Sequence, residues 1–185
     1  METNFHLQPA HSDLQRLAEQ YWREAGELER RREKEAYEAG AAIRKGELTL
    51  VNLETIVRWK SERAVSYLIG NSDESIHAAL AAATAPGCTT EAAVEALTRL
   101  RGIDLDIATA VLAAIFPDQY AVLDYRTLEA LGQSRHNAKF YAEYNAFIRH
   151  LLDSGLVHTQ PEAPGSTPLH ALEHALWQWA RSHDS

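Results

Sequence analysis

A chain of 185 residues with 45% hydrophobic content is long enough to bury one sizeable core and short for two domains. Its one cysteine, Cys88, excludes an internal disulfide and any four-cysteine zinc or iron–sulfur site, which fits a reducing cytoplasm. A net charge of -8 argues against tight non-specific binding to nucleic acid, although a local basic face would still suffice for contact.

No apolar run approaches the roughly 18–20 residues of a membrane span. The opening residues 1–9 are polar and do not read as a secretion signal. A cytoplasmic protein with no membrane partner is expected. Alanine and leucine are frequent and no stretch alternates with period two for long, so the fold class predicted is all-α.

Residues 13–39 read as one long helix, with Leu14, Leu17, Ala18, Tyr21, Trp22, Ala25 and Leu28 on a single stripe. Ser12 or Asp13 is its expected cap. Its second half mixes both signs of charge, so Arg30-Arg31-Arg32 reads as part of a solvated face more readily than as a DNA contact. A second helix runs from Leu53 through Val65 to Ile69 and stops at Gly70. Ser72 or Asp73 then caps a short helix that Pro86-Gly87 terminates, and Thr89 or Thr90 caps the next.

Leu100-Arg101-Gly102-Ile103-Asp104 predicts a tight turn, followed by the apolar face of Ile107, Ala108, Val111, Leu112 and Ile115. Asp124 stands where a further helix begins, carrying Leu128 and Leu131. Phe140, Tyr144, Phe147, Ile148, Leu151 and Leu152 define a strongly amphipathic helix. A loop at 159–167 precedes a C-terminal helix over 168–182, opened by Thr167-Pro168. The expectation is a single compact domain over 1–185, of about eight helices, without strands or internal repeats.

Two features carry chemistry. A turn between helices that exposes consecutive backbone N–H groups at a helix N-terminus can hold a phosphate without a side-chain cation. Gly102 supplies the flexible residue such a turn requires, Ile103 and Asp104 complete it, and Arg99 and Arg101 flank it. Gly102 could equally end one helix before the next with no ligand. Asp124, at a helix start, is either a plain cap or a carboxylate poised for reaction, and the two roles are compatible.

The stretch 90–132 resembles the helix-hairpin-helix DNA glycosylase superfamily, whose members include endonuclease III-like and alkyladenine glycosylase-like enzymes. Their hairpin falls on Leu100 to Asp104, and their catalytic aspartate falls without a gap on Asp124, in Val122-Leu123-Asp124-Tyr125-Arg126. The chain departs from the pattern at Asp104, where a second glycine is usual. It departs again at Asp106, where strand-nicking members carry a lysine that forms a Schiff base with the sugar. The resemblance therefore implies a monofunctional DNA glycosylase that leaves an abasic site, needs no cofactor or iron–sulfur cluster, has DNA as its partner and acts as a monomer. Damaged bases and bulky modified bases such as those of phage DNA both stay open as substrates, and with them repair and anti-phage defence.

The alternative is a non-catalytic hairpin module that only binds nucleic acid. Trp59, Lys60 and Arg63, in the basic stretch 58–63, are candidates for the base pocket or phosphate contacts, weighed against a core tryptophan with snorkelling neighbours. Tyr120, Tyr125 and Arg126 bracket the aspartate in the same capacity. His170 and His174 share a helix face at a spacing that suits a metal, but with no third ligand evident they read as a polar face, and no metal site is expected.

Overall fold

The computed structural model describes residues 5–134, 137–155, 157–158 and 167–183. Among these the fold is all-helical, with ten α-helices and one short 3-10 turn at His11–Asp13. In order they are α1 (Leu14–Glu24), α2 (Glu27–Arg44), α3 (Leu50–Lys60), α4 (Glu62–Leu68) and α5 (Asp73–Ala83). There follow α6 (Thr90–Thr98), α7 (Leu105–Ile115), α8 (Tyr125–Ala130), α9 (Ala138–Leu152) and α10 (Pro168–His183).

The two helices beyond the expected eight come from two breaks that apolar spacing hides. The long helix over 13–39 is interrupted at Ala25 and Gly26, both extended (ψ 133° and 159°), so α1 and α2 are separate. Gly26 is a poor helix former, and Glu27 and Glu29 favour a fresh N-terminus immediately after it. Leu28, counted on the apolar stripe, is consequently 51% exposed. The second break is at Ser61 (φ -155°, ψ 104°), which separates α3 from α4. Glu62 then sits at the start of α4 and binds both Arg58 and Arg32, at 2.6 Å each.

Side-chain caps fall where short polar residues precede apolar runs. Thr49, Ser72, Thr89, Asp104, Asp124 and Asn137 each accept a backbone N–H of the helix they open. Thr167 does the same for His170 (3.1 Å); the rest of the expected loop at 159–167 lies outside the described residues.

Helix α7 is the axis of the core, with every residue from Ile107 to Ile115 buried. Its neighbour α2 approaches so closely at Gly40 that a β-carbon there would lie 2.1 Å from the Ala114 carbonyl oxygen. Arg44, at the end of α2, donates to the Ile115 carbonyl (2.6 Å) and so caps α7. Helix α10 packs along α1, where Tyr21 stacks on His174 at 3.8 Å, and also against α8. The N-terminal segment donates from His6 and Gln8 to the carbonyls of Leu131 and Ala130 (3.0 and 2.9 Å), so it holds the C-terminal end of α8. No helix of the described residues is long and apolar enough to cross a membrane.

Candidate functional site

Asp124 caps α8. Its Oδ1 accepts from the backbone N–H groups of Arg126 and Thr127 (both 3.1 Å), and the Thr127 hydroxyl accepts in return from the Asp124 N–H (2.9 Å). With Oδ1 engaged this way, Oδ2 is left for Lys60, whose Nζ donates to it at 2.7 Å. Asp124 is only 7% exposed, so the pair is sheltered from bulk water. Lys60 is the last residue of α3, immediately before the break at Ser61. Sequence reading placed Lys60 among base or phosphate contacts; the fold brings it to the aspartate.

The segment leading to Asp124 is buried yet belongs to no helix, so its backbone polar groups need side-chain partners. Asn145 Oδ1 accepts from the Ala121 N–H (3.0 Å), and the Tyr141 hydroxyl donates to the Ala121 carbonyl (3.0 Å). The Tyr144 hydroxyl donates to the Val122 carbonyl (2.9 Å), and Thr109 Oγ1 accepts from the Leu123 N–H (3.0 Å). These four residues fix the rise of the chain into the carboxylate. None was singled out from sequence for this role. The available signal was Tyr141, Tyr144 and Asn145, three polar groups on the buried face of the amphipathic α9.

Gly102 adopts φ +85°, and a β-carbon on it would lie 2.7 Å from the Ala64 carbonyl oxygen and 2.8 Å from the Leu68 nitrogen. The hairpin turn is therefore seated on α4, and Asn71 clamps it, accepting from the Arg101 N–H and donating to the Arg101 carbonyl, both at 3.0 Å. An open cleft of about 440 Å³ lies along this seam, lined by Ser61, Arg63, Tyr67, Gly102 and Asp104 among others. Ser61, which lines this cleft, follows Lys60 in the chain; Lys60 and Asp124 themselves are not among its lining residues.

Asp104 has extended backbone (φ -90°, ψ -174°), and its Oδ1 accepts from the Ile107 N–H at 3.0 Å. An aspartate needs no positive φ to cap a helix, so the second glycine is replaced by an N-cap that occupies one donor of α7. Ile103 is buried against the core.

The other candidates divide. Arg63 is exposed on the cleft. Arg99 pairs with Glu95 (2.7 Å) and lines a separate depression with Asn71 and Ser75. Trp59 is half-buried against Tyr37, Ala110, Ala113 and Val122, a packing role. Tyr120 stacks near Tyr141 (6.0 Å) and reaches the Thr90 hydroxyl (3.5 Å), on the α6–α9 side. Tyr125 is 62% exposed beside Asp124, and its hydroxyl accepts from Arg126 Nε (2.7 Å). The Arg126 guanidinium lies over the Trp177 ring at 4.4 Å, which joins α8 to α10. Arg31 and Arg32, from the triple-arginine run, are engaged with Glu35 and Glu62.

Behind the aspartate lies a buried polar cluster that sequence reading left incomplete. Glu33, fully buried on α2, brings Oε1 to 2.6 Å from His170 Nε2 and 2.8 Å from His174 Nε2. It supplies the third ligand atom that the two histidines lacked, and this donor set could hold a divalent cation. Glu33 was hidden in a run of alternating charges that resembles a solvated face. Burial opposes its charge, but His174 and His170 outweigh that and hold the carboxyl well below its usual range. Burial pushes His174 down to about 4, with His170 adding to the effect. Glu173, one turn of α10 from His170, is pushed up to about 7 by burial, with the charges of Asp124 and Glu33 also raising it against His170 and Lys60. No family model, curated protein or solved structure matches this chain.

Proposed function

We propose that the protein is a DNA glycosylase that cleaves the N-glycosidic bond of a damaged or modified base and leaves an abasic site. The observation that supports it most is Asp124, a sheltered carboxylate with one oxygen committed to its helix and the other paired with Lys60. Breaking an N-glycosidic bond builds positive charge on the sugar ring. A fixed carboxylate near C1′ stabilises that charge without reorganising, and it can orient an attacking water. The target nucleotide must leave the base stack to reach it. The hairpin at Gly102, with Arg63 and Arg101 nearby, supplies contacts to the flanking backbone.

The test is release of free base, read by chromatography, from a panel of duplexes carrying damaged and hypermodified bases. Wild type releases base from at least one, and Asp124→Asn releases none while still binding that duplex. A panel without release removes the enzymatic reading. A second reading, a nucleic-acid-binding module without chemistry, is favoured by Asp104, whose carboxylate occupies the α7 N-terminus that would otherwise face a phosphate. Salt-sensitive duplex binding without any base release supports that one.

A further inference from the structure

We propose that Glu33, His170 and His174 form a structural zinc site that bonds α2 to α10. This inference stands apart from the excision reading, since it uses neither Asp124 nor the hairpin.

The ligands come from two helices. His170-Ala171-Leu172-Glu173-His174 sets two imidazoles one turn apart on a single face of α10, the H-x-x-E-H form in which a helix offers two nitrogens to zinc. Zinc takes at least one more protein ligand, and α2 delivers it. Glu33 Oε1 lies 2.6 Å from His170 Nε2 and 2.8 Å from His174 Nε2, and the three ligand atoms all fall within 4.8 Å of one another. With zinc bonds of about 2.0–2.2 Å, donors at tetrahedral corners stand roughly 3.3 Å apart, so loading asks the carboxylate to draw back by about half an ångström. Tyr21 stacks on the His174 ring (3.8 Å) and Tyr37 packs against the His170 ring (4.6 Å), which fixes the direction of both imidazoles.

A second observation points to a cation. Glu33 is fully buried, and while its Oε1 faces both imidazoles, its Oε2 is buried with no hydrogen-bond partner. Such an atom is costly in a folded protein, and a bound ion is one of the few things that accounts for it. An ion held by both carboxylate oxygens and two imidazole nitrogens uses Oε2 and completes four-fold coordination. Glu173 Oε2 and Gln178 Oε1, both on α10, are also buried without partners. All three are acceptors, the kind of atom that a positive charge satisfies.

The donor set selects the ion. Two imidazoles with one carboxylate suit zinc, whereas magnesium and calcium take six or more ligands, nearly all oxygen. No ligand side chain is more than 3% exposed, so the ion is shut away from any substrate and its work is structural. Helix α10 packs chiefly on α1, α8 and α9, and the metal adds a bond from it to α2, the close neighbour of the central α7.

The experiment uses the full chain, stripped with a chelator, freed of it and titrated with zinc chloride by calorimetry, with bound metal counted by mass spectrometry. One zinc binds per chain, and at a hundredfold excess over Kd the Tm rises by about 5–10 °C. Magnesium and calcium chloride give neither effect. Glu33→Gln and His174→Gln keep the size and polarity of the site, and each lowers zinc affinity by at least the roughly 100-fold that loss of a supporting residue can cost. His150→Gln, on an exposed part of α9, leaves affinity unchanged. Wild-type crystals soaked in zinc and measured at its absorption edge decide the matter even where a buried variant fails to fold. The anomalous peak falls about 2.0–2.2 Å from the Glu33 carboxylate and both Nε2 atoms. No retained zinc, affinity undiminished in a folded Glu33→Gln or His174→Gln, or a peak only at exposed histidines overturns the proposal. Base release is not a readout here, so neither result bears on the excision reading.

Discussion

Gly102 is the residue on which the hairpin stands, and replacing it by alanine gives a result whose size follows from two separate effects. The first is conformational: φ is +85°, and a β-carbon in left-handed backbone costs about 1–2 kcal/mol. The second is steric. The new carbon would lie 2.7 Å from a backbone carbonyl and 2.8 Å from a backbone nitrogen of α4, neither of which can swing aside as a side chain would. Overpacking of this kind costs about 1–3 kcal/mol. Together they predict a loss of about 2–5 kcal/mol, or roughly 4–20 °C in Tm for a chain of this size. Gly87 separates the two, because it has φ +76° but nothing within 4 Å of its would-be β-carbon. Gly87→Ala should therefore lose only about 1–2 kcal/mol. Chemical denaturation of wild type and both variants measures the difference. If Gly102→Ala costs no more than Gly87→Ala, the turn is not seated on α4 and the cleft beside it is misplaced.

Three further outcomes follow from the site. Asp124→Asn keeps an N-cap of equal quality and loses only the charge facing Lys60, whereas Asp124→Ala loses the cap as well, so alanine is the less stable by about 1 kcal/mol in thermal unfolding. Tyr144→Phe removes the donor to the buried Val122 carbonyl and lowers stability by about 1–3 kcal/mol, read as a lower denaturant midpoint. Glu173 holds its proton more tightly folded, at about 7, than at its ordinary 4.5, so between those values the native state retains a proton that the unfolded chain has lost. Wild-type stability from this group is present below pH 4.5 and declines as pH rises toward 7. Glu173→Gln lacks that decline and gains about 3 kcal/mol on wild type between pH 4 and pH 8. The opposing contribution of His174 is common to both proteins; a difference that is flat with pH would contradict the burial of Glu173 beside Asp124.

Much of the local structure is legible in the chain. Caps such as Ser72, Thr89 and Asp124 announce their helices because a short polar side chain before an apolar run has one favourable use. The breaks at Gly26 and Ser61 are masked because the apolar spacing runs on through each; at the first, Gly26 followed by Glu27 and Glu29 is a local signal that the spacing outweighs. Asp124 could be picked out because its spacing from Gly102 lies within one stretch of sequence. Lys60 and Glu33 could not be assigned their partners, 64 and 141 residues away, because nothing local distinguishes them from other charged residues on helices rich in charge. Long-range partners are set by how α2, α3 and α10 pack around α7 and α8.

The central claim is that Asp124 meets the anomeric carbon of an extruded nucleotide. A crystal structure of Asp124→Asn bound to a duplex carrying a stable abasic-site analogue tests it most directly. The account predicts C1′ of the analogue within about 3.5 Å of residue 124, with the Gly102 turn against a flanking phosphate. A sugar bound elsewhere, or a duplex that meets the protein away from the cleft between α4 and the Gly102 turn, would contradict it.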